Sequence, residues 1–169
     1  GHAMNELRNL EISLQDCFKA KCSEKDEFFD LMKTIIKFEL TIDDFQNLIK
    51  SNYQDLEVSR YDTFNDLLNY CKLSANPVGS LVLKIFGDFN ETNLKLSNNI
   101  CTGLQLINFI QDINRDSKLG RIYIPLEDLN KFNIDENDIL NNKSSSEMNN
   151  LVKMQCERSH KIINNGKSL

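Results

Sequence analysis

Gln105, Asn108, Asp112 and Asp116 follow one another at intervals of three and four residues, which on an α-helix sets all four on a single face. Cys101 extends the line toward the N-terminus, and Ile100, Leu104, Leu106, Ile107, Phe109, Ile110 and Ile113 flank it. Apolar flanks predict burial for most of this helix. A carboxylate taken out of water without a partner is costly even after relaxation, so the two acids call for compensation. Two carboxylates one turn apart can offer oxygens to Mg²⁺, a hard ion that accepts a few carboxylates together with water and phosphate oxygens. Alternatively, both acids end the helix on a solvated face, paired with Arg115 or Lys118. Spacing alone leaves both readings standing.

A second polar feature runs Tyr70-Cys71-Lys72-Leu73-Ser74-Ala75-Asn76-Pro77-Val78-Gly79. Pro77 among small residues predicts that one helix ends and another begins close to a neighbour, leaving a kinked, open wall. Tyr70 either projects its phenol into that space or lies half-buried with its hydroxyl in water.

The elements that must carry these groups read as helices. Apolar residues recur at three- and four-residue spacing almost throughout, only two prolines and six glycines interrupt them, and alternating strand patterns are absent. Ser23 with Asp26, Thr41 with Asp44, Thr63 with Asp66, and Ser144 with Glu147 each have the form of a capping box at a helix start. Helices are predicted near 5–20, 24–38, 42–54, 63–75, 77–87, 92–116 and 145–164, with a loop of short helical turns between 117 and 144.

The chain has 169 residues, 40% hydrophobic and 27% charged, as expected of one globular domain. Gly1 to Ala3 read as an expression-tag remnant, and residues 4–169 as the domain. A net charge of −5 without a basic stripe argues against nucleic acid as a partner. Five cysteines without a CxxC pair fit a reducing compartment, with the cytoplasm expected. Apolar runs such as Ser80 to Phe86 fall short of the ~20 residues that span a bilayer.

Tyr61-x-Thr63-Phe64-x-Asp66-Leu67-Leu68-x-Tyr70-Cys71, then Ser74 to Gly79, then Leu104 to Asp112, then Gly120-Arg121-Ile122-Tyr123-Ile124-Pro125, in that order, resemble the squalene/phytoene synthase family. Gln111, where phytoene synthases usually carry Arg, makes the chain most similar to the bacterial hydroxysqualene synthase branch. The resemblance implies an all-α isoprenoid-synthase bundle around an apolar cavity. It also implies a prenyltransferase-type enzyme of C30 synthesis, with Mg²⁺ as cofactor, that acts on presqualene or farnesyl diphosphate and releases diphosphate. On the same resemblance, Asn108, Asp112 and Asp116 match the family's second aspartate-rich motif, which holds Mg²⁺ against the diphosphate. Gln105 matches a polar residue of the same cavity, and Arg121 matches a residue of the flap over the phosphates. Tyr70 matches an active-site tyrosine that steers the carbocation. Gln111 and Tyr123 complete the expected substrate-binding set, Gln111 as a group that places the trapping water.

The family's first aspartate-rich motif has no counterpart at the expected distance before Tyr70. Asp26-x-x-x-Asp30 has the form but lies too near and encloses Phe28 and Phe29, so it reads as cap and surface acids. The chain is therefore expected to be a truncated bundle, inactive alone, whose open core favours self-association; peripheral membrane contact is a further expected partner interaction. The nearest alternatives are phytoene or presqualene diphosphate synthesis and, from a different class, a non-catalytic helical relative serving in protein assembly.

Overall fold

Thr63 shows how local chemistry starts a helix in this chain. Its Oγ1 accepts from the Asp66 N–H at 3.2 Å while the Asp66 carboxylate accepts from the Thr63 N–H at 3.1 Å, so both ends of the box are closed. In the computed structural model, which describes residues 1–169, every regular element is an α-helix. They run α1 (His2–Phe18), α2 (Phe29–Lys37), α3 (Ile42–Glu57), α4 (Phe64–Ser74), α5 (Asn76–Phe86), α6 (Glu91–Gln111), α7 (Ile113–Lys118), α8 (Leu126–Lys131), α9 (Glu136–Leu140) and α10 (Ser146–Asn165).

The other three predicted boxes turn out differently. Ser23 and Asp26 do bond, backbone N–H to carboxylate at 2.5 Å, but within a turn; α2 begins only at Phe29, so the helix expected over 24–38 lacks its first turn. Thr41 precedes α3 without a side-chain cap, because Asp44 turns instead to Ser80 Oγ at 2.9 Å and Lys84 Nζ at 2.6 Å on α5. For α10 the cap is Ser145 rather than Ser144, accepting from the Met148 N–H at 3.1 Å. The helix expected over 92–116 is interrupted at Asp112.

The helices pack closely where side chains are small. A Cβ on Gly103 would stand 3.0 Å from the Ser159 carbonyl oxygen and collide with Ile163, so α6 and α10 pack with little room between them. Gly79 likewise lets α5 approach Ser97 and Cys101 of α6. Between α8 and α10, buried Asp128 accepts from Arg158 Nη1 at 2.7 Å and Nη2 at 2.9 Å, and from Gln155 Nε2 at 2.8 Å. The same guanidinium lies 4.1 Å from the Phe64 ring centroid, at the start of α4.

Val78, Val82 and Phe86 of α5 are 49%, 47% and 77% exposed, and Leu104 of α6 is 55% exposed. These apolar faces open to solvent beside the polar row, which differs from the sequence expectation of burial for Leu104. No helix is long and apolar enough to cross a membrane.

Candidate active site

The polar row bends at Asp112 without breaking. There φ is −93° and ψ is 5°, and the Asp112 carbonyl oxygen accepts from both the Arg115 N–H at 2.9 Å and the Asp116 N–H at 2.8 Å. α6 therefore hands over to α7 across a single residue. Asn108 Nδ2 still reaches Asp112 Oδ2 at 3.4 Å, so the one-turn spacing survives.

Neither acid lies on an open face. The side chain of Asp112 is 24% exposed and that of Asp116 only 11%. Arg115 approaches Asp112 at 3.4 Å and Asp116 at 3.9 Å, but it is exposed and its geometry is loose, and such surface pairs contribute at most about 1 kcal/mol. Burial first, and the neighbouring Asp112 charge second, push the Asp116 carboxyl above the usual carboxylate range, with Arg115 and Arg121 acting in the opposite sense.

Gly120, at φ +75°, takes the left-handed turn that a side chain resists and sends the chain back across the bundle. The Arg121 N–H donates to the Asp116 carbonyl oxygen at 2.9 Å, Ile122 N–H to Ser59 O at 3.0 Å, and Leu126 N–H to Tyr61 O at 2.9 Å. This extended segment lies along the α3–α4 connection and carries Arg121 and Tyr123 to Asp116. With Phe109, Ile113, Ile122, Ile124 and Ile139, these three residues line a crevice of about 10 Å³, room for roughly one water.

Asp55, near the end of α3, joins the set from beyond the motifs. Its Oδ2 accepts from the Tyr70 hydroxyl at 2.9 Å, its Oδ1 from the Tyr123 hydroxyl at 3.1 Å, and its carbonyl oxygen from Arg121 Nη2 at 3.0 Å. The sequence reading did not single it out. The available signal was its place on the helix: Phe45, Leu48, Asn52 and Asp55 step by three and four, so an acid occupies a position where an apolar face would continue.

The phenols stand in a cluster of rings. Phe109 stacks on Tyr123 with centroids 4.2 Å apart, and Tyr61 and Tyr70 pack at 5.8 and 5.7 Å from Tyr123. Burial, then the Asp55 charge, raises the Tyr123 phenol to about 12. Burial likewise raises Tyr70. Both therefore remain O–H donors at neutral pH.

Tyr70, Asp116, Arg121 and Tyr123 thus meet around Asp55. Tyr70 is buried and hydrogen-bonded, not projecting into open space. Asp112 sits above Asp116, Asn108 is exposed at the rim, and Gln105 is half-buried along α6. Gln111 is exposed and lines a separate groove of about 270 Å³ with Asn114, Asp138, Asn142 and Lys143.

No three His, Cys, Asp or Glu side chains cluster as a complete metal cage. What Asp112 and Asp116 offer is a partial set of hard oxygens, with the Asn108 amide oxygen available one turn before. Burial first, and the Asp112 charge second, raise the Asp116 carboxyl; a bound divalent cation would offset both, so the donor chemistry fits Mg²⁺, an ion that takes a few carboxylates together with water and phosphate oxygens.

Known proteins resemble this chain in sequence and in fold. The chain is 34% identical over 146 residues to a phytoene synthase of Arthrospira platensis, covering 78% of this chain and 47% of that one. A 15-cis-phytoene synthase of Synechocystis is 33% identical over 164 residues, covering 90% and 48%. The crystal structure of squalene synthase HpnC from Alicyclobacillus acidocaldarius superposes with a TM-score of 0.91 at 35% identity, covering 98% of this chain and 62% of that one. This chain therefore spans about half the length of the phytoene synthases it matches. The squalene/phytoene synthase profile matches residues 1–169, and the chain belongs to that family.

Proposed function

We propose that this chain carries the second-aspartate-motif half of a C30 isoprenoid synthase. The enzyme binds presqualene or farnesyl diphosphate through Mg²⁺ and releases diphosphate. The observation that carries the reading is the buried meeting of Asp116, Arg121 and Tyr123, with Asp112 directly above. The family membership supports an isoprenoid diphosphate as substrate, and the likeness to a squalene synthase supports a C30 product.

Asn108, Asp112 and Asp116 would hold the cation, which supplies positive charge against the leaving diphosphate. Arg121 has one N–H engaged with the Asp55 carbonyl, which fixes its direction; its other donors are then aimed at phosphate oxygens. Asp55 holds the Tyr70 and Tyr123 hydroxyls, which fixes the ring cluster as an apolar backing beside Asp116 and Arg121. The exposed Val78, Val82, Phe86 and Leu104 supply an apolar wall along which a prenyl chain lies, with Gln105 beside it. Gln111, in its separate groove, orients water only if that groove opens toward the row.

Titration calorimetry with farnesyl thiolodiphosphate tests the reading. Binding is expected in Mg²⁺ and not in EDTA, weakened at least about tenfold by Asp112→Asn with Asp116→Asn, a loss of about 1.4 kcal/mol. Equal affinity in the presence of EDTA, or in that double variant, overturns it. Because the matched relatives include phytoene synthases, phytoene or presqualene diphosphate synthesis is the second reading. Product analysis by mass spectrometry of an active enzyme that contains these residues decides between C30 and C40 hydrocarbon.

A further inference from the structure

At the end of α1 the chain turns through Lys19, Ala20 and Lys21, with Ala20 at φ +54°, and brings Cys22 back onto Cys17. The two sulfurs lie 3.1 Å apart, both as free thiols. Cys17 is 1% exposed, packed with Met32, Ile35 and Leu40 against Phe28 and Phe45, and its Sγ also reaches the Phe28 carbonyl oxygen at 3.6 Å. Cys22 is half-buried, so a reagent in solution reaches one sulfur of the pair and not the other.

We propose that Cys17 and Cys22 form a redox couple that closes to an intramolecular disulfide by exchange with a small-molecule disulfide. The Cys22 thiolate attacks one sulfur of oxidised glutathione, forming a mixed disulfide and releasing one glutathione thiolate. Cys17 then passes its proton to the released glutathione thiolate and attacks the Cys22 sulfur, breaking the mixed disulfide and releasing the second glutathione as a thiolate that takes its proton from water. Two protein thiols are oxidised and one glutathione disulfide is reduced. The order follows from access and from acidity, because burial first, and the Cys22 hydrogen bond second, push the Cys17 thiol up to about 12, which makes it a poor first nucleophile. Closure is local: the sulfurs need to approach by about 1 Å to reach disulfide bonding distance, and the bond then pins the end of α1 to the turn that covers the Met32 cluster. The other three cysteines, Cys71, Cys101 and Cys156, are not paired in this way.

Oxidised glutathione added to the native chain, followed by alkylation and tryptic mapping without reductant, tests the couple. Cleavage after Arg8, Lys19, Lys21 and Lys25 places Cys17 in the peptide of residues 9–19 and Cys22 in that of residues 22–25. The expected product is these two peptides joined, two hydrogens lighter than their sum, with free thiols falling from five by two per chain and recovering in dithiothreitol. In Cys22→Ser the cross-link is expected to be absent, while in Cys156→Ser it persists. Recovery of both peptides unlinked, glutathione left standing on Cys22, or a cross-link to any other cysteine overturns the proposal.

Discussion

Asp55 is the side chain on which the largest number of site groups depend, because two buried phenols donate to its two oxygens. Asp55→Ala leaves both hydroxyls without a partner, and each buried unpaired donor costs about 1–3 kcal/mol. A loss of about 2–4 kcal/mol in a urea titration is expected, against little change for the more exposed Asn108→Ala. Asp116 behaves in the opposite sense in the absence of metal. Its carboxyl is raised above the ordinary 3.8, chiefly by burial and then by Asp112, so the fold favours the protonated form. The stability this contributes is fully present below the unfolded value and is lost as pH rises through the folded one. Asp116→Asn is therefore expected to melt at a higher temperature than the parent at neutral pH in EDTA, with the difference vanishing below pH 3.8. Added Mg²⁺ with diphosphate reverses the order. At this scale the sequence marked Asp112, Asp116 and Tyr70 by type and local spacing with two readings open for each, and Arg121 and Tyr123 only through the family resemblance. It did not show Asp55, whose partners Tyr70 and Tyr123 stand 15 and 68 positions away.

The helices were legible wherever a start is decided by its own residues. Thr63 and Asp66 close their box as expected, and Thr63→Ala is expected to cost about 1 kcal/mol, a fall of about 3 °C in Tm. Where a tertiary partner competes, the local signal loses. Asp44 leaves Thr41 for Lys84 and Ser80 because both acid and lysine side chains there are largely buried, at 13% and 14% exposure, and an ion pair out of water outweighs one cap. Ser23 and Asp26 bond as a cap would, yet the residues that follow them form a turn. The interruption at Asp112 carries no proline or glycine. It is visible only in backbone angles and in the doubled acceptance by one carbonyl, which no residue type announces. Gly103 gave no signal in the sequence but is set by α10: Gly103→Ala must displace the Ser159 backbone or Ile163, and overpacking of this kind costs about 1–3 kcal/mol, read as a lowered urea midpoint.

Across the whole molecule, the segment that follows Gly120 is held by contacts that join distant elements. Arg158 grips buried Asp128 with two hydrogen bonds and covers Phe64, tying α10 to α8 and to the start of α4. Arg158→Met strands a buried carboxylate and is expected to destabilise the chain by about 3–5 kcal/mol. One and a half turns earlier on the same helix, Lys153 meets Glu157 at 4.0 Å on an exposed face, a pair of the kind that contributes at most about 1 kcal/mol. The helical class was legible from periodicity, and the assembled site was not, because an extended stretch after Gly120 brings Arg121 and Tyr123 to Asp116 through backbone bonds to Ser59 and Tyr61. On the proposed function, the acidic row at the α6–α7 junction looks onto a cation and a diphosphate. Mn²⁺ added with inorganic diphosphate to the ¹⁵N-labelled chain probes it most directly, since the ion broadens amide resonances near its binding site. Selective broadening is expected across residues 108–123, lost in the Asp112→Asn, Asp116→Asn double variant. Broadening confined to other surface acids such as Asp43 or Glu136, or unchanged in that variant, would contradict it.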